Sequence, residues 1–317
     1  MTPLFLKREH FQNLINALKS SGYKVIGPKE KDGTIVYEDL NFAEELPQGV
    51  QDEQSPGKYR LKKINNGRWF SWANGPQAIK PNLFSPREFI WRAIRDEKNK
   101  LQFKQVQPEV THTAIIGVRA CDLAALELQD QHFIEGEYVD QFYDARRKKL
   151  LLIGVNCTHS ADTCFCASTG DGPEASSGYD ILLTELETGF IISSATEKAK
   201  SITDQLELVA ANNEQLAEAK QQIQHATTQQ KRTLPGRNLR GILFSALDHP
   251  QWEDIARRCL ACGNCTAVCP TCFCHSEHDE TPLNGNNVTH YRQWSSCFTQ
   301  EHSYMHGLVI RAETKLQ

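Results

Sequence analysis

The sequence lacks any apolar run long enough to cross a bilayer, because runs such as Leu150 to Val155 are far shorter than the ~20 residues required. It also lacks a surplus of positive charge, since 35 Lys and Arg residues face 39 Asp and Glu residues for a net charge of −4. No basic field is therefore available to attract nucleic acid or anionic lipid. The first residues, MTPLFLKREHF, contain neither an apolar signal region nor a cleavage site. These absences predict a cytoplasmic protein without membrane insertion and without a nucleic-acid partner.

Cysteine, in contrast, is abundant and unevenly distributed. The 317 residues include 11 cysteines, an odd number, and six of them fall between Cys259 and Cys274. In a reducing compartment such crowding indicates metal ligation and not a disulfide framework.

The crowded segment contains a ferredoxin-type [4Fe–4S] motif, Cys259-x₂-Cys262-x₂-Cys265-x₃-Cys269-Pro270. The first three thiolates each bind one iron of a cubane, so the fourth ligand must come from elsewhere. In two-cluster ferredoxins the last cysteine of this pattern, here Cys269, binds the other cluster. The alternative is a structural zinc site, but zinc ribbons normally separate their two cysteine pairs by about a dozen residues or more.

Three further cysteines, Cys272, Cys274 and Cys297, lie close to the motif in sequence. Each of them fits one of three roles: completing a cluster, binding a second metal, or remaining a buried structural thiol. Of these three residues, Cys297, in the sequence Trp-Ser-Ser-Cys, is the leading candidate for the fourth ligand.

The clearest fold signal is a strand–helix–strand pattern in the middle of the chain. An apolar strand at 112–118 precedes a helix at about 122–133, and a second apolar strand follows at 150–155. Nearly continuous hydrophobic strands are typical of a parallel sheet covered on both faces, so this pattern predicts a βαβ unit. We expect an α+β or α/β protein, with a mixed α/β domain at 1–235 and a smaller ferredoxin-like iron–sulfur domain at 236–317.

Local patterns predict further elements of the N-terminal domain. Apolar residues at helical spacing predict a helix at 7–20, and two short apolar runs predict a hairpin within 179–193. Residues 44–58 are polar and predict an exposed loop. Ser85 as a cap and Pro86 in the first turn predict the start of another helix, with the apolar residues that follow on its buried face.

Four cysteines precede the C-terminal domain. Cys121 follows the first predicted parallel strand, Cys157 follows the second, and Cys164 and Cys166 lie in the loop after Cys157. Because the carboxyl ends of parallel strands face one crevice of an open α/β sheet, all four thiols can converge there. Their convergence would form a second [4Fe–4S] site, with Arg119 offsetting its negative charge. The alternative is a set of buried core thiols.

These motifs together resemble a known family. The string CLACGNCTAVCPTCFC at 259–274, followed by RQWSSC at 292–297, is similar to the β subunit of soluble sulfhydrogenase-type [NiFe] hydrogenases and equally to the A subunit of anaerobic sulfite reductase. The resemblance continues upstream through Gly75-Pro76, Lys80, Pro86, GVRACDLAALE at 117–127, DQFYDARR at 140–147 and VNCTHSADTCFCASTGDGP at 155–173. It therefore covers most of the chain from about residue 70 onward.

The resemblance implies an electron-carrying subunit that binds no substrate itself. Such a subunit passes electrons through [4Fe–4S] clusters between a flavin and nicotinamide subunit and a catalytic hydrogenase or sulfite reductase subunit. The family carries a second Cys-x₂-Cys-x₂-Cys motif further along, and the sequence ends at Gln317 before any such motif. We therefore expect a C-terminal domain that is incomplete and whose first cluster lacks its usual fourth ligand.

Two other functions compete with this interpretation. In one, the chain is a stand-alone reductase of a sulfur compound that uses the N-terminal cysteines. In the other, it is a zinc-stabilised interaction module without redox chemistry. We assign no catalytic residue from the sequence, since no Ser–His–Asp set or carboxylate pair can be assembled from it.

Overall fold

The computed structural model describes residues 3–75, 79–236, 238–283, 285 and 287–297, and the backbone of two short strands at 304–306 and 309–310. These residues form a mixed α/β protein. The chain divides into two units, one of residues 1–79 and 110–236 and the other of residues 80–109 and 237–317, here called the first and second unit.

The described residues contain strands and helices along most of the chain. The strands are β1 Leu4–Lys7, β2 Lys24–Lys31, β3 Thr34–Asp39, β4 Val50–Ser55, β5 Lys58–Lys63, β6 Arg87–Arg95, β7 Leu101–Gln105, β8 Thr113–Val118, β9 Leu150–Val155, β10 Ile181–Glu185, β11 Gly189–Ser194, β12 Val209–Ala210, β13 His275–Glu280, β14 Asn287–Trp294, β15 Tyr304–His306 and β16 Val309–Ile310. The helices are α1 Phe11–Ser20, α2 Ala120–Phe133, α3 Gln141–Lys148, α4 Cys166–Thr169, α5 Glu197–Thr203, α6 Asn213–Gln229, α7 Leu239–Ser245, α8 Pro250–Arg258 and α9 Asn264–Val268. None of the described helices has the length and apolar character that crossing a membrane requires.

An eight-stranded sheet forms the centre of the first unit, in the order β12-β1-β11-β10-β9-β8-β2-β3. The four strands β10, β9, β8 and β2 run parallel to one another, and all other strand pairs of this sheet are antiparallel. All six residues of β9 are buried, as are five of the six in β8, which explains their continuous apolar sequences. Helices α2 and α3 connect β8 to β9. The predicted βαβ unit is therefore confirmed.

Helix α1 contributes to the hydrophobic core of the first unit. Its residues Phe11, Leu14, Ile15 and Leu18 are fully buried at helical spacing, as the sequence predicts for 7–20. The helix itself begins at Phe11, after a short 3₁₀ turn. The predicted hairpin within 179–193 is the antiparallel pair β10–β11.

Two local predictions are wrong. Within the predicted loop 44–58, the chain forms β4 and enters β5, which pair antiparallel. The predicted helix after Ser85 is instead strand β6, which pairs with β7 on one side and with β14 on the other. Aromatic and β-branched side chains suit a pleated surface, and pairing with distant strands outweighs a local capping signal.

Strand β6 changes the division of the chain. The second unit contains a four-stranded antiparallel sheet in the order β13-β14-β6-β7, so residues 80–109 pack with the C-terminal residues. A buried ion pair joins the two central strands, with Arg292 Nη2 2.9 Å from Glu88 Oε2. The sequence predicts a single boundary near residue 235, and the second unit contains residues 80–109 in addition to 237–317.

Glu45 supports an acid-sensitive contact in the first unit. Its carboxylate lies 2.9 Å from Lys29 Nζ and accepts hydrogen bonds from the backbone N–H groups of Asn41 and Phe42. The bond from Lys29 and these backbone donors outweigh desolvation and lower the pKa of Glu45 to about 2. Because this pKa is depressed in the folded state, the stabilisation is present above pH ~4.5 and is lost as the pH falls towards 2.

We therefore expect Glu45→Gln to lower the free energy of unfolding by about 1–2 kcal/mol at pH 7. The difference from the wild type should shrink as the pH falls through the range from about 4.5 to 2. Urea unfolding at pH 7 and pH 3 measures both values. The neighbouring exposed Glu44→Gln is the control, and equal destabilisation by the two substitutions would contradict the assignment.

Candidate iron–sulfur centres

The four upstream cysteines lie at the carboxyl edge of the parallel strands. Cys121 is in the first turn of α2, directly after β8, and Cys157 follows the end of β9 by two residues. Cys164 lies in the loop that continues from Cys157, and Cys166 begins α4. Because β8 and β9 are parallel neighbours, their carboxyl ends meet at one edge of the sheet.

The structure brings these four thiols together. Desolvation is the main cause that raises the pKa of each thiol, to about 11 for Cys164 and well above the usual range for Cys121. The charge of each thiolate would act on the other three, so every pair within the set interacts. Solvent still reaches Cys121, and the other three are half-buried. The four side chains therefore share one crowded but accessible place.

Arg119 supplies a positive charge beside these thiols. Its side chain is only 1% exposed, and its Nη2 donates to the carbonyl oxygens of Phe70 at 3.0 Å and Trp72 at 2.7 Å. The guanidinium also lies 4.3 Å from the centre of the Trp72 ring. Its charge and a hydrogen bond lower the pKa of Cys157, opposing the larger effect of desolvation. Among the described residues, its buried Nε has no hydrogen-bond partner.

Two amide side chains and one carboxyl group complete the surroundings. Gln230 Nε2 donates to Cys166 Sγ at 3.2 Å, and Asn74 Nδ2 lies 3.8 Å from Cys121 Sγ. Asn74 also donates to Asp122, whose pKa burial raises to about 6. No sequence motif identifies Asn74 or Gln230, because each contributes through a fold contact and not through spacing.

The donor set fits a [4Fe–4S] cluster. Four thiols whose pKa values are raised, mainly by desolvation, need positive charge to ionise together, and four irons supply it. A buried Arg119 Nε without a partner and an amide donor at Cys166 suit an anionic cluster. The backbone at Gly172 also lies close to these thiols, since a Cβ at this position would lie 3.2 Å from Cys166 Sγ.

A cluster of this kind differs from a single metal ion. Within the part of the chain that the structure describes, no group of three or more His, Cys, Asp or Glu side chains is arranged to hold one metal ion. A [4Fe–4S] cluster distributes its four protein ligands over four irons, and it therefore needs a wider arrangement of thiols.

The C-terminal motif begins where α8 ends. Pro250 occupies the first turn of this helix, which delivers the chain to Cys259. Ala261 and Gly263 then adopt left-handed conformations, with φ of 53° and 72°, and the N–H of Ala261 donates to Cys259 Sγ at 3.3 Å. A left-handed alanine is strained by about 1–3 kcal/mol and is typical of functional loops. The thiols of Cys262 and Cys265 are exposed.

The remaining C-terminal cysteines lie near one another. Desolvation raises the pKa of Cys297, and the charges of Cys274 and Cys265 raise it further. Cys269 lies beside Cys272. Desolvation raises the pKa of Cys269, but hydrogen bonds with Thr271 and Cys272 outweigh that effect and lower the pKa. The structure therefore places Cys297 with Cys265 and Cys274, and it places Cys269 with Cys272.

Comparison with known proteins identifies the cofactor. Residues 258–317 match the family model of the 4Fe-4S dicluster domain, so this part of the chain binds [4Fe–4S] clusters. Over 307 residues, 95% of this chain and 81% of the relative, the sequence is 28% identical to sulfhydrogenase 2 subunit beta of Pyrococcus furiosus. No solved structure matches the chain.

The comparisons confirm two predictions made from the cysteine motifs. The chain is a homologue of a sulfhydrogenase β subunit, and its cofactor is the [4Fe–4S] cluster and not structural zinc alone. The assignment of individual ligands, the role of Arg119 and the incomplete C-terminal domain stay predictions. Of the upstream residues that carry the resemblance, Pro76 lies outside the described residues.

Proposed function

We propose that this chain is an electron-transfer subunit of a cytoplasmic oxidoreductase complex of the hydrogenase, sulfur reductase or sulfite reductase type. It relays electrons through [4Fe–4S] clusters between a flavin and nicotinamide subunit and a catalytic subunit. The observation that carries the proposal is the gathering of four thiols in the first unit, in a chain whose C-terminal part is a [4Fe–4S] domain. The homology to a sulfhydrogenase β subunit supports it.

The thiols would act only as ligands. Cys121, Cys157, Cys164 and Cys166 would hold a cluster in the first unit, and a cluster bound there would supply one-electron transfer. Arg119 would offset its negative charge, and the amide of Gln230 would donate to the Cys166 sulfur. Both effects stabilise the reduced state and raise the midpoint potential.

Cys259, Cys262 and Cys265 would hold a C-terminal cluster. Its fourth position has two candidates, Cys269 and Cys297. Cys297 has the support of its position beside Cys265, whereas Cys269 has the support of the ferredoxin spacing. The iron content of the Cys269→Ala and Cys297→Ala variants distinguishes the two candidates, since only the loss of the true ligand destabilises the cluster.

The competing function, a reductase that uses free N-terminal cysteines as nucleophiles, has less support. The thiolate is the nucleophilic form of cysteine, and a raised pKa keeps a thiol protonated near pH 7. All four upstream thiols have raised pKa values. A bound metal ion deprotonates a coordinating thiol through its own charge, so these raised pKa values oppose covalent chemistry with a sulfur substrate more than metal ligation.

Anaerobic purification of the tagged chain from its host tests the proposal. We expect flavin-containing and catalytic subunits to co-purify, and NAD(P)H to reduce the iron–sulfur clusters within that complex. The isolated chain should accept electrons from dithionite but should not turn over NAD(P)H, sulfite or polysulfide. Turnover of any of these by the isolated, cluster-loaded chain at the rate of the complex would show that the chain is itself the catalytic subunit.

A further inference from the structure

Lys80 lies inside the second unit and not on its surface. The residue is 3% exposed and begins a short 3₁₀ turn, Lys80–Asn82. Its Nζ donates to the carbonyl oxygens of Cys269 at 3.0 Å and Thr266 at 3.2 Å, with a longer contact to Cys272 at 3.5 Å. An ammonium group has three donors and no acceptor, so these carbonyls engage all of its N–H groups.

An aromatic ring faces the same ammonium group. Lys80 Nζ lies 3.9 Å from the centre of the Trp294 ring, which itself stacks on Phe84 at 5.9 Å. A cation over an indole face is the most favourable geometry of this interaction, and it strengthens when water is excluded. The ammonium is thus held between a ring and a set of backbone carbonyls.

These carbonyls belong to the turn that connects the ligand candidates. Helix α9 ends at Val268, and the oxygens of Thr266 and Cys269 lie at its carboxyl end, where a cation is favourable. The chain between Thr266 and Cys272 joins Cys265 to Cys274. Lys80 therefore fixes the backbone between two cysteines that both act on Cys297.

The buried charge is balanced by the cysteines. Desolvation lowers the pKa of Lys80, and the charges of Cys272, Cys269 and Cys274 oppose that shift. A buried cation is costly unless negative charge lies close to it. Thiolates bound to iron would provide that negative charge permanently.

We propose that Lys80 is a positioning residue of the C-terminal cluster: its ammonium group fixes the turn from Thr266 to Cys272 and holds a positive charge beside the cluster. Reduction of a cluster adds one electron and breaks no bond, so it adds one negative charge. A nearby cation stabilises the reduced form more than the oxidised form. Lys80 therefore raises the midpoint potential of the C-terminal cluster, and it does so from a segment far upstream of the motif.

Redox titration of the full-length, cluster-loaded chain with dithionite tests this role. The signal of the C-terminal cluster is the one that Cys262→Ala removes. We expect Lys80→Met to shift its midpoint potential to more negative values, and Lys80→Arg to keep it close to that of the wild type. Arg87→Met is the matched control, since Arg87 also lies 3.9 Å over an aromatic ring, that of Tyr291, but on the exposed surface.

An unchanged potential in Lys80→Met, or an equal shift in Arg87→Met, would overturn the proposal. If Lys80→Met takes up no iron, the iron content of Lys80→Arg decides. Iron retained by Lys80→Arg supports the role of the charge, whereas an equal loss of iron from both variants contradicts it. The measurement needs no partner subunit, so its result is independent of the complex proposed above.

Discussion

A Cys157→Ala chain purified anaerobically should contain about four fewer irons than the wild type, because one thiolate of the first-unit cluster is missing. Cys262→Ala should lose a similar number from the C-terminal cluster. The two sites have separate ligands, so the losses should add to about eight irons in the double variant. Iron analysis of the three proteins, together with their electron paramagnetic resonance spectra after reduction, measures the result.

Thr158→Ala is the control for the first-unit site, since it changes the residue next to Cys157 without removing a thiol. It should keep the iron content of the wild type. If Cys157→Ala also keeps all of its iron, the four gathered thiols are structural and not ligands. Alkylation would then modify the exposed Cys121 in the folded protein and the three half-buried thiols mainly after unfolding.

A fragment of residues 237–317 expressed alone should remain unfolded and hold no stable cluster. In the intact chain β14 pairs with β13 on one side and with β6 on the other. Without β6, these two strands form an isolated hairpin, which is marginally stable at best in water. The fragment also loses Glu88, the ion-pair partner of the buried Arg292, and such a loss costs about 3–5 kcal/mol.

A longer fragment, in which a flexible linker joins residues 80–109 to residues 237–317, is the matched control. It restores β6, β7 and Lys80, so we expect cooperative unfolding and iron uptake that the shorter fragment lacks. Circular dichroism and iron content compare the two proteins. Folding and full iron uptake by 237–317 alone would instead support the boundary near residue 235 that the sequence predicts.

The sequence predicts those features that depend on neighbouring residues. The apolar runs of β8 and β9 are continuous, and the strand ends therefore locate Cys121 and Cys157 at one edge of the sheet. The spacing of Cys259, Cys262 and Cys265 likewise identifies a cluster motif without a structure. In each case the signal lies within one element or one loop.

Features that depend on distant partners escape such reasoning. The capping signal at Ser85 predicts a helix, but β14 supplies the hydrogen bonds that make β6 a strand. The sequence does not indicate that Lys80 is buried, and only the fold encloses it among carbonyls of the cysteine turn. Gln230 and Asn74 reach the upstream thiols through the same kind of long-range contact.

The order in which the ribosome makes the strands has a consequence for assembly. Strands β6 and β7 emerge early, but Arg292 on the partner strand β14 follows Glu88 by 204 residues. At about 5–20 residues per second, the edge of β6 waits for about 10–40 s before β14 can cover it. During that interval an unpaired strand edge is open to association with other chains. Protection by a chaperone should therefore matter most before synthesis reaches β14.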